Sequence, residues 1–119
     1  MLNLDTDILL FALVGELQER EKAALDRERW GISAIVLWEI AKLHQRGRIA
    51  SGLDSPPLAR ALGRIHIWPL SREVCLNMLA LDFSSDPADE LIAATSLTYG
   101  VPLVTRDEKI RRSKLLEFV

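Results

Sequence analysis

Cysteine is nearly absent. Cys75 stands alone, so no internal disulfide can form and a disulfide-built secreted module is excluded. With one cysteine and two histidines, His44 and His66, a Cys/His zinc cage is excluded as well. No apolar run approaches the roughly 18 residues that a membrane span needs. The opening Met1-Leu2-Asn3-Leu4-Asp5 has neither a basic segment nor a cleavage site, so the expectation is a cytoplasmic chain without a signal peptide. A basic excess is missing too. Fifteen Lys and Arg against 17 Asp and Glu leave a net charge of −2, which argues against passive adhesion to nucleic acid. It leaves room for a nuclease whose acidic pocket needs divalent cations before it accepts phosphate.

What is present has globular proportions. The chain is 49 % hydrophobic and 27 % charged over 119 residues, which excludes a disordered protein and fits one domain over residues 1–119. No internal repeat appears, and no Gly/Ser linker divides the chain. Short apolar runs alternate with longer amphipathic ones, the pattern of an α/β domain with a parallel sheet. Strands are expected at Leu2–Leu4, Trp30–Ser33, Ile65–Trp68 and Leu103–Val104. Helices are expected from Thr6 to about Leu13, Glu16 to Glu28, Ala34 to Arg46, Leu58 to Arg64, Arg72 to Leu81, Pro87 to Tyr99 and Glu108 to Arg112. The helix from Ala34 reads as largely buried, and Ser51 to Pro57 as a loop.

Four carboxylates stand where core-building logic would not place them. Asp5 ends the first strand and Asp107 follows the fourth. Asp89 lies in the first turn of the helix after Asp86-Pro87, and Glu39 interrupts the apolar run Ile35-Val36-Leu37-Trp38-Glu39-Ile40-Ala41. In a parallel sheet the strand C-termini share one edge, and ligands collect in the crevice there. Carboxylates crowded at that edge repel one another, and a hard divalent cation such as Mg²⁺ or Mn²⁺ removes the conflict. Each acid also has a plainer reading. Asp86, Asp89 and Asp107 fit helix-start positions, Asp5 is an ordinary turn residue, and Lys42 or Arg48 could pair with Glu39. The conjunction of four carries more weight than any one.

Thr6, Ser33 and Thr105 sit beside strand ends, where a hydroxyl could hold metal-bound water, orient a carboxylate or simply cap a turn. Asp7 could add negative field or face solvent. Trp30, Trp38 and Trp68 are expected in the core or an interface, His44 and His66 in structural roles, and Cys75 in apolar packing. Lys42, Arg46 and Arg48 form one basic cluster, and Arg106, Lys109, Arg111, Arg112 and Lys114 another. Each reads as a solvated face or as a rim that contacts phosphate.

Taken together, Leu4-Asp5-Thr6-Asp7-Ile8-Leu9-Leu10, Ile32 to Ala41, Asp86 to Thr95 and Pro102-Leu103-Val104-Thr105-Arg106-Asp107 resemble PIN domains, within them the bacterial VapC-like toxin group. The resemblance spans essentially the whole chain. It implies a three-layer α/β/α sandwich around a parallel sheet and metal-dependent cleavage of RNA that leaves a 5′-phosphate and a 3′-hydroxyl. Asp5, Glu39, Asp89 and Asp107 are similar to the family's Mg²⁺- or Mn²⁺-binding catalytic acids. Thr6, Ser33 and Thr105 resemble its supporting hydroxyls, and Asp86 an adjoining acid; Asp7 departs from the His or Asn often found there. A homodimer and a small antitoxin protein are the implied partners. A processing nuclease outside any toxin pair is the alternative within the family.

Other classes compete less well. Asp5-Thr6-Asp7 fits the short nucleophile motif of haloacid-dehalogenase phosphotransferases, but no convincing lysine motif precedes the late acids. A receiver-like signalling module needs an aspartate after its central strand, and Pro69 follows Ile65-His66-Ile67-Trp68 instead. A catalytically silent scaffold domain is the remaining rival.

Overall fold

The computed structural model describes residues 1–119. Four parallel strands, β1 (Leu2–Leu4), β2 (Trp30–Ser33), β3 (His66–Trp68) and β4 (Leu103–Val104), lie in the order β3-β2-β1-β4. Seven helices connect and flank them: α1 (Thr6–Val14), α2 (Glu19–Arg27), α3 (Ala34–Gln45), α4 (Pro56–Leu62), α5 (Arg72–Met78), α6 (Pro87–Tyr99) and α7 (Glu108–Arg111). The result is the expected α/β sandwich. Leu2, Asn3 and Leu4 are all buried, as a central parallel strand covered on both faces requires. Around them a core of Ile8, Leu9, Ile32, Val36, Ile40, Ile92, Leu103 and Val104 closes with at most 2 % of any side chain exposed. No helix is long and apolar enough to cross a membrane.

Topology decides where a ligand can sit. The chain moves outward from β1 through β2 to β3, then returns to place β4 on the other side of β1. The switch point therefore lies between β1 and β4, the place where open α/β sheets present a crevice at their carboxyl ends. Asp5 follows β1 there, its amide donating to Val104 O at 3.2 Å, and Asp107 follows β4.

Several element boundaries differ from expectation for local reasons. Glu16 does not open α2, because its amide and that of Gly15 (φ 73°) both close the end of α1 on Phe11 O. The helix begins only at Glu19, after Gln18, whose amide donates to Glu21 Oε1 at 2.8 Å. Pro56 and Pro57 belong to a helix rather than a loop: they occupy the first turn of α4, where a missing N–H costs nothing. The last turns after α5 tighten into three-residue bonds from Leu79, Ala80 and Leu81 amides, which ends that helix at Met78.

Two packing expectations also change. Only Val36 and Ile40 of α3 are fully buried, and Trp38 is 53 % exposed, so neither that helix nor that indole is core as a whole. Cys75 is exposed; its neighbour Val74 takes the buried position of α5. Trp68 does pack inside, its ring occupying the space beside Gly31 where a side chain would begin, and stacks on Tyr99 at 5.6 Å. A Cβ at Gly31 would stand 2.5 Å from Trp68 Cη2 and Cζ3, and a rigid indole held by Tyr99 has little room to yield. Gly31→Ala is expected to cost about 1–3 kcal/mol, read as a lower denaturant midpoint with unchanged m.

Candidate active site

Asp5, Asp7, Asp89 and Asp107 line one hollow of about 340 Å³ at the switch point, together with Ile8, Phe11 and Arg106. Three of the four expected acids meet there. They come from the end of β1, the first turn of α6 and the loop after β4. Asp7, which the sequence left undecided, faces the same hollow. Larger hollows of about 370 and 430 Å³ lie elsewhere, one beside Arg29, Trp30 and Arg64, the other between α1 and α4. Neither gathers carboxylates, so chemistry rather than size singles out the site.

Glu39 and Asp86 lie outside that lining but within its electrostatic reach. The Thr6 hydroxyl donates to Glu39 Oε1, which ties α3 to the residue after Asp5. Neither Lys42 nor Arg48 pairs with Glu39; Lys42 instead donates to Gln45 at 3.0 Å. Asp86 stands at the cap position of α6, yet its side chain makes no cap hydrogen bond. Asp86 and Pro87 thus open the helix as expected, but the Asp86 carboxylate takes no part in the cap and its charge is left unshared.

Capping and a place at the hollow coexist for Asp5 and Asp107, whereas Asp89 and Glu39 are held by hydroxyls and cap nothing. Asp107 Oδ1 accepts from the amides of Lys109 and Ile110 at 2.9 and 3.1 Å, and Oδ2 has no protein donor. Asp89 Oδ2 accepts from Ser85 Oγ at 3.3 Å, and Oδ1 is unengaged. Glu39 Oε2 is likewise without a donor. Asp5 Oδ1 accepts from the Ile8 amide at 2.8 Å, which starts α1. Thr105 Oγ1 accepts from the Asp107 amide at 3.2 Å, and the same hydroxyl favours the ionised form of Asp5, so it stands between the two strand-end acids. Ser33 does not join them; buried, its Oγ accepts from the Ile35 amide and serves the start of α3.

The charge in this hollow is uncompensated. Burial pushes the Asp5 carboxyl up to about 6, partly offset by the bonds from Thr105 and Ile8, with Asp7 and Asp89 adding repulsion. Burial also raises Glu39 and Asp89, and neighbouring carboxylates reinforce both shifts: Asp89, Asp7 and Asp86 on Glu39, and Asp86, Asp107 and Asp7 on Asp89. The one basic side chain in the lining, Arg106, is already engaged by Glu21 at 2.7 and 2.8 Å. Arg106 is therefore not a freely solvated cation, although its side chain still lines the hollow. Arg111 is committed too, to Thr105 O and Val119 O.

A donor set of oxygens alone, carrying more negative charge than the protein neutralises, fits a hard divalent cation. The carboxylates surround the hollow without forming a closed cage: no three of them stand close enough together to enclose an ion.

Sequence comparison settles the family. Residues 3–115 match the model of the PIN domain. The chain belongs to the PIN-domain family. No curated protein matches its sequence, but solved structures match its fold along its whole length. A chain of the VapBC2 complex of Rickettsia felis bound to a promoter DNA fragment superposes with a TM-score of 0.79 at 20 % identity, covering 100 % of this PIN domain and 98 % of that chain. A toxin–antitoxin complex from Klebsiella pneumoniae gives 0.71 at 21 %, with 100 % and 96 % covered. VapBC-1 of nontypeable Haemophilus influenzae gives 0.73 at 18 %, with 100 % and 97 % covered. The receiver-like and dehalogenase-like alternatives fall away with the PIN assignment.

Proposed function

We propose that residues 1–119 act as one PIN nuclease domain, a Mg²⁺- or Mn²⁺-dependent endoribonuclease that serves as the toxin of a toxin–antitoxin pair. The observation that carries this reading is the convergence of Asp5, Asp89 and Asp107 on one hollow at the sheet's switch point, each held by protein donors. Asp5, Glu39, Asp89 and Asp107 are the residues that would hold the cation. A bound divalent ion supplies a more acidic water and offsets phosphate charge. The chain's own residues orient the donors. Thr6 fixes Glu39, Thr105 aligns Asp5 with the Asp107 loop, Ser33 sets the start of the helix that carries Glu39, and Asp86 adds to the field that attracts cations.

The antitoxin part of the proposal draws on the fold neighbours, which are complexes described as VapBC or toxin–antitoxin. A small antitoxin protein and a second copy of this chain are the proposed partners, in the cytoplasm. The test is expression with and without the product of the neighbouring reading frame, paired with cleavage of RNA by purified protein. Expected are growth arrest relieved by the neighbour, cleavage that needs Mg²⁺ or Mn²⁺, and ends bearing 5′-phosphate and 3′-hydroxyl. Cleavage undiminished by EDTA would remove the metal from the proposal, and metal-dependent cleavage without growth arrest would favour a processing nuclease.

A further inference from the structure

Arg106 is held by three hydrogen bonds and a ring contact, and one of its nitrogens is left over. Its Nε donates to Glu21 Oε2 at 2.8 Å, and its Nη2 donates to Glu21 Oε1 at 2.7 Å and to Glu16 O at 3.1 Å. The guanidinium carbon lies 4.1 Å from the centroid of the Phe11 ring. Glu21 is 3 % exposed, so the pairing is anchored in the protein rather than in solvent. Planar fork, buried carboxylate and aromatic face together leave the guanidinium little freedom to turn. Nη1 alone has no partner. The side chain keeps 34 % exposure and lines the hollow beside Asp5, Asp89 and Asp107.

A fold that needed only a clamp between α2 and the β4 loop would not require the guanidinium to line the acidic hollow. We infer that Arg106 is a substrate-binding residue, its Nη1 donating to a phosphate oxygen of the RNA strand while Glu21 holds the fork in place. The inference rests on the reading of the hollow as a phosphodiester-cleaving site. Such a site needs a donor that recognises phosphate without moving, and a pre-oriented Arg meets that need with little ordering cost.

The experiment measures binding of a short fluorescent single-stranded RNA by anisotropy over a salt series. Cleavage is suppressed by placing every variant in an Asp89→Asn background. Arg106→Gln is expected to weaken binding roughly tenfold and to reduce the slope of log K against log salt by about 0.7, the loss of one phosphate contact to a single strand. Arg106→Lys should keep the slope and lose affinity, since charge persists but the fork does not. Glu21→Gln should behave like Arg106→Lys. In otherwise native protein the Arg106→Gln defect should fall on KM more than on kcat. If Arg106→Gln unfolds because Glu21 is left unpaired, the Glu21→Gln/Arg106→Gln double variant replaces the ion pair by two amides and is read in the same way. A lower melting temperature with unchanged affinity and slope overturns the inference and makes Arg106 a structural clamp alone. Absence of RNA cleavage by the native protein with Mg²⁺ or Mn²⁺ is a different result, and it removes the nuclease reading itself.

Discussion

Asp5→Asn and Asp89→Asn are each expected to reduce RNA cleavage by on the order of a thousandfold and, at the same time, to make the metal-free protein more stable at neutral pH. Both effects follow from the same charge. Each substitution keeps the size of the side chain, and an amide oxygen can still accept from the Ile8 amide at Asp5 or from Ser85 at Asp89. What is lost is an anion in a hollow lined by four aspartates and one arginine already engaged by Glu21. Without a cation, those charges repel. Folding holds Asp5 near 6 rather than at its ordinary 3.8, and at about 1.36 kcal/mol per unit this amounts to roughly 3 kcal/mol at most of unfavourable ionisation. Cleavage assays beside melting curves in EDTA check the pair of predictions. An Asp5→Asn protein that loses stability as well as activity would mean that the hollow is a structural feature and not a charged site.

The pH dependence has a definite sign. A carboxyl whose folded pKa lies above its unfolded value stabilises the fold while protonated, fully so below the unfolded value, and that contribution disappears as pH rises through the folded value. Asp5 therefore withdraws stability between about pH 4 and 6, and the raised Glu39 and Asp89 act in the same direction. Glu21 opposes them. Its pKa is lowered by the bond from Arg106, so its contribution is present above the unfolded value and fades only as pH falls below that. In EDTA the melting temperature should be higher at pH 5 than at pH 7.5, and Asp5→Asn should flatten the difference. Added Mg²⁺ should raise the pH 7.5 value, since a ligand that binds only the folded state stabilises it.

Strand-end logic works for Asp5 and Asp107 because a parallel sheet aligns every carboxyl end on one edge, whatever else the chain does. Asp89 was legible from Asp86-Pro87, a strong helix start; the cost of a charge within an apolar run marked Glu39, which stands outside the lining of the hollow. What could not be read are partnerships across long stretches of chain. Glu21 and Arg106 are separated by 85 positions, and nothing local in Glu16 to Glu28 marks Glu21 as the one charged residue of that helix to be buried. Arg106 accordingly looked like one more cation among Lys109, Arg111, Arg112 and Lys114. Cys75 was misplaced for a related reason: periodicity shows that a helix has an apolar side, not which residues of a short helix the neighbouring elements reach. Asn3 was passed over because one amide in a short strand leaves the apolar pattern intact.

Asn3 nevertheless ties the helix that carries Asp89 to the strand that leads into Asp5. It is fully buried, and its Nδ2 donates to Ser96 Oγ at 2.9 Å and to Ile92 O at 3.0 Å. Asp5 follows β1 two residues after Asn3 and lines the same hollow as Asp89. On α6, Asp89, Ile92 and Ser96 follow one another along a single face at spacings of three and four. The amide of Asn3 thus locks the register of α6 against β1, one helical turn from the point where Asp89 meets Asp5. Asn3→Ala leaves a cavity and deprives a buried Ser96 hydroxyl of its donor, and it should cost about 3 kcal/mol, or roughly 10 °C in melting temperature. Asn3→Leu should cost less. It fills the space and also removes Asn3 Oδ1, which is buried without a hydrogen-bond partner. Combining it with Ser96→Ala should recover part of the remaining loss, because both polar partners are then gone together. Activity separates packing from registration. Well below its melting temperature, Asn3→Leu should still cleave RNA about tenfold more slowly than the native protein, because stability can be repaired by an apolar side chain and the placement of Asp89 cannot. Native cleavage by a stable Asn3→Leu protein would show that the packing of Ile92 and Ala93 alone holds the two acids in register.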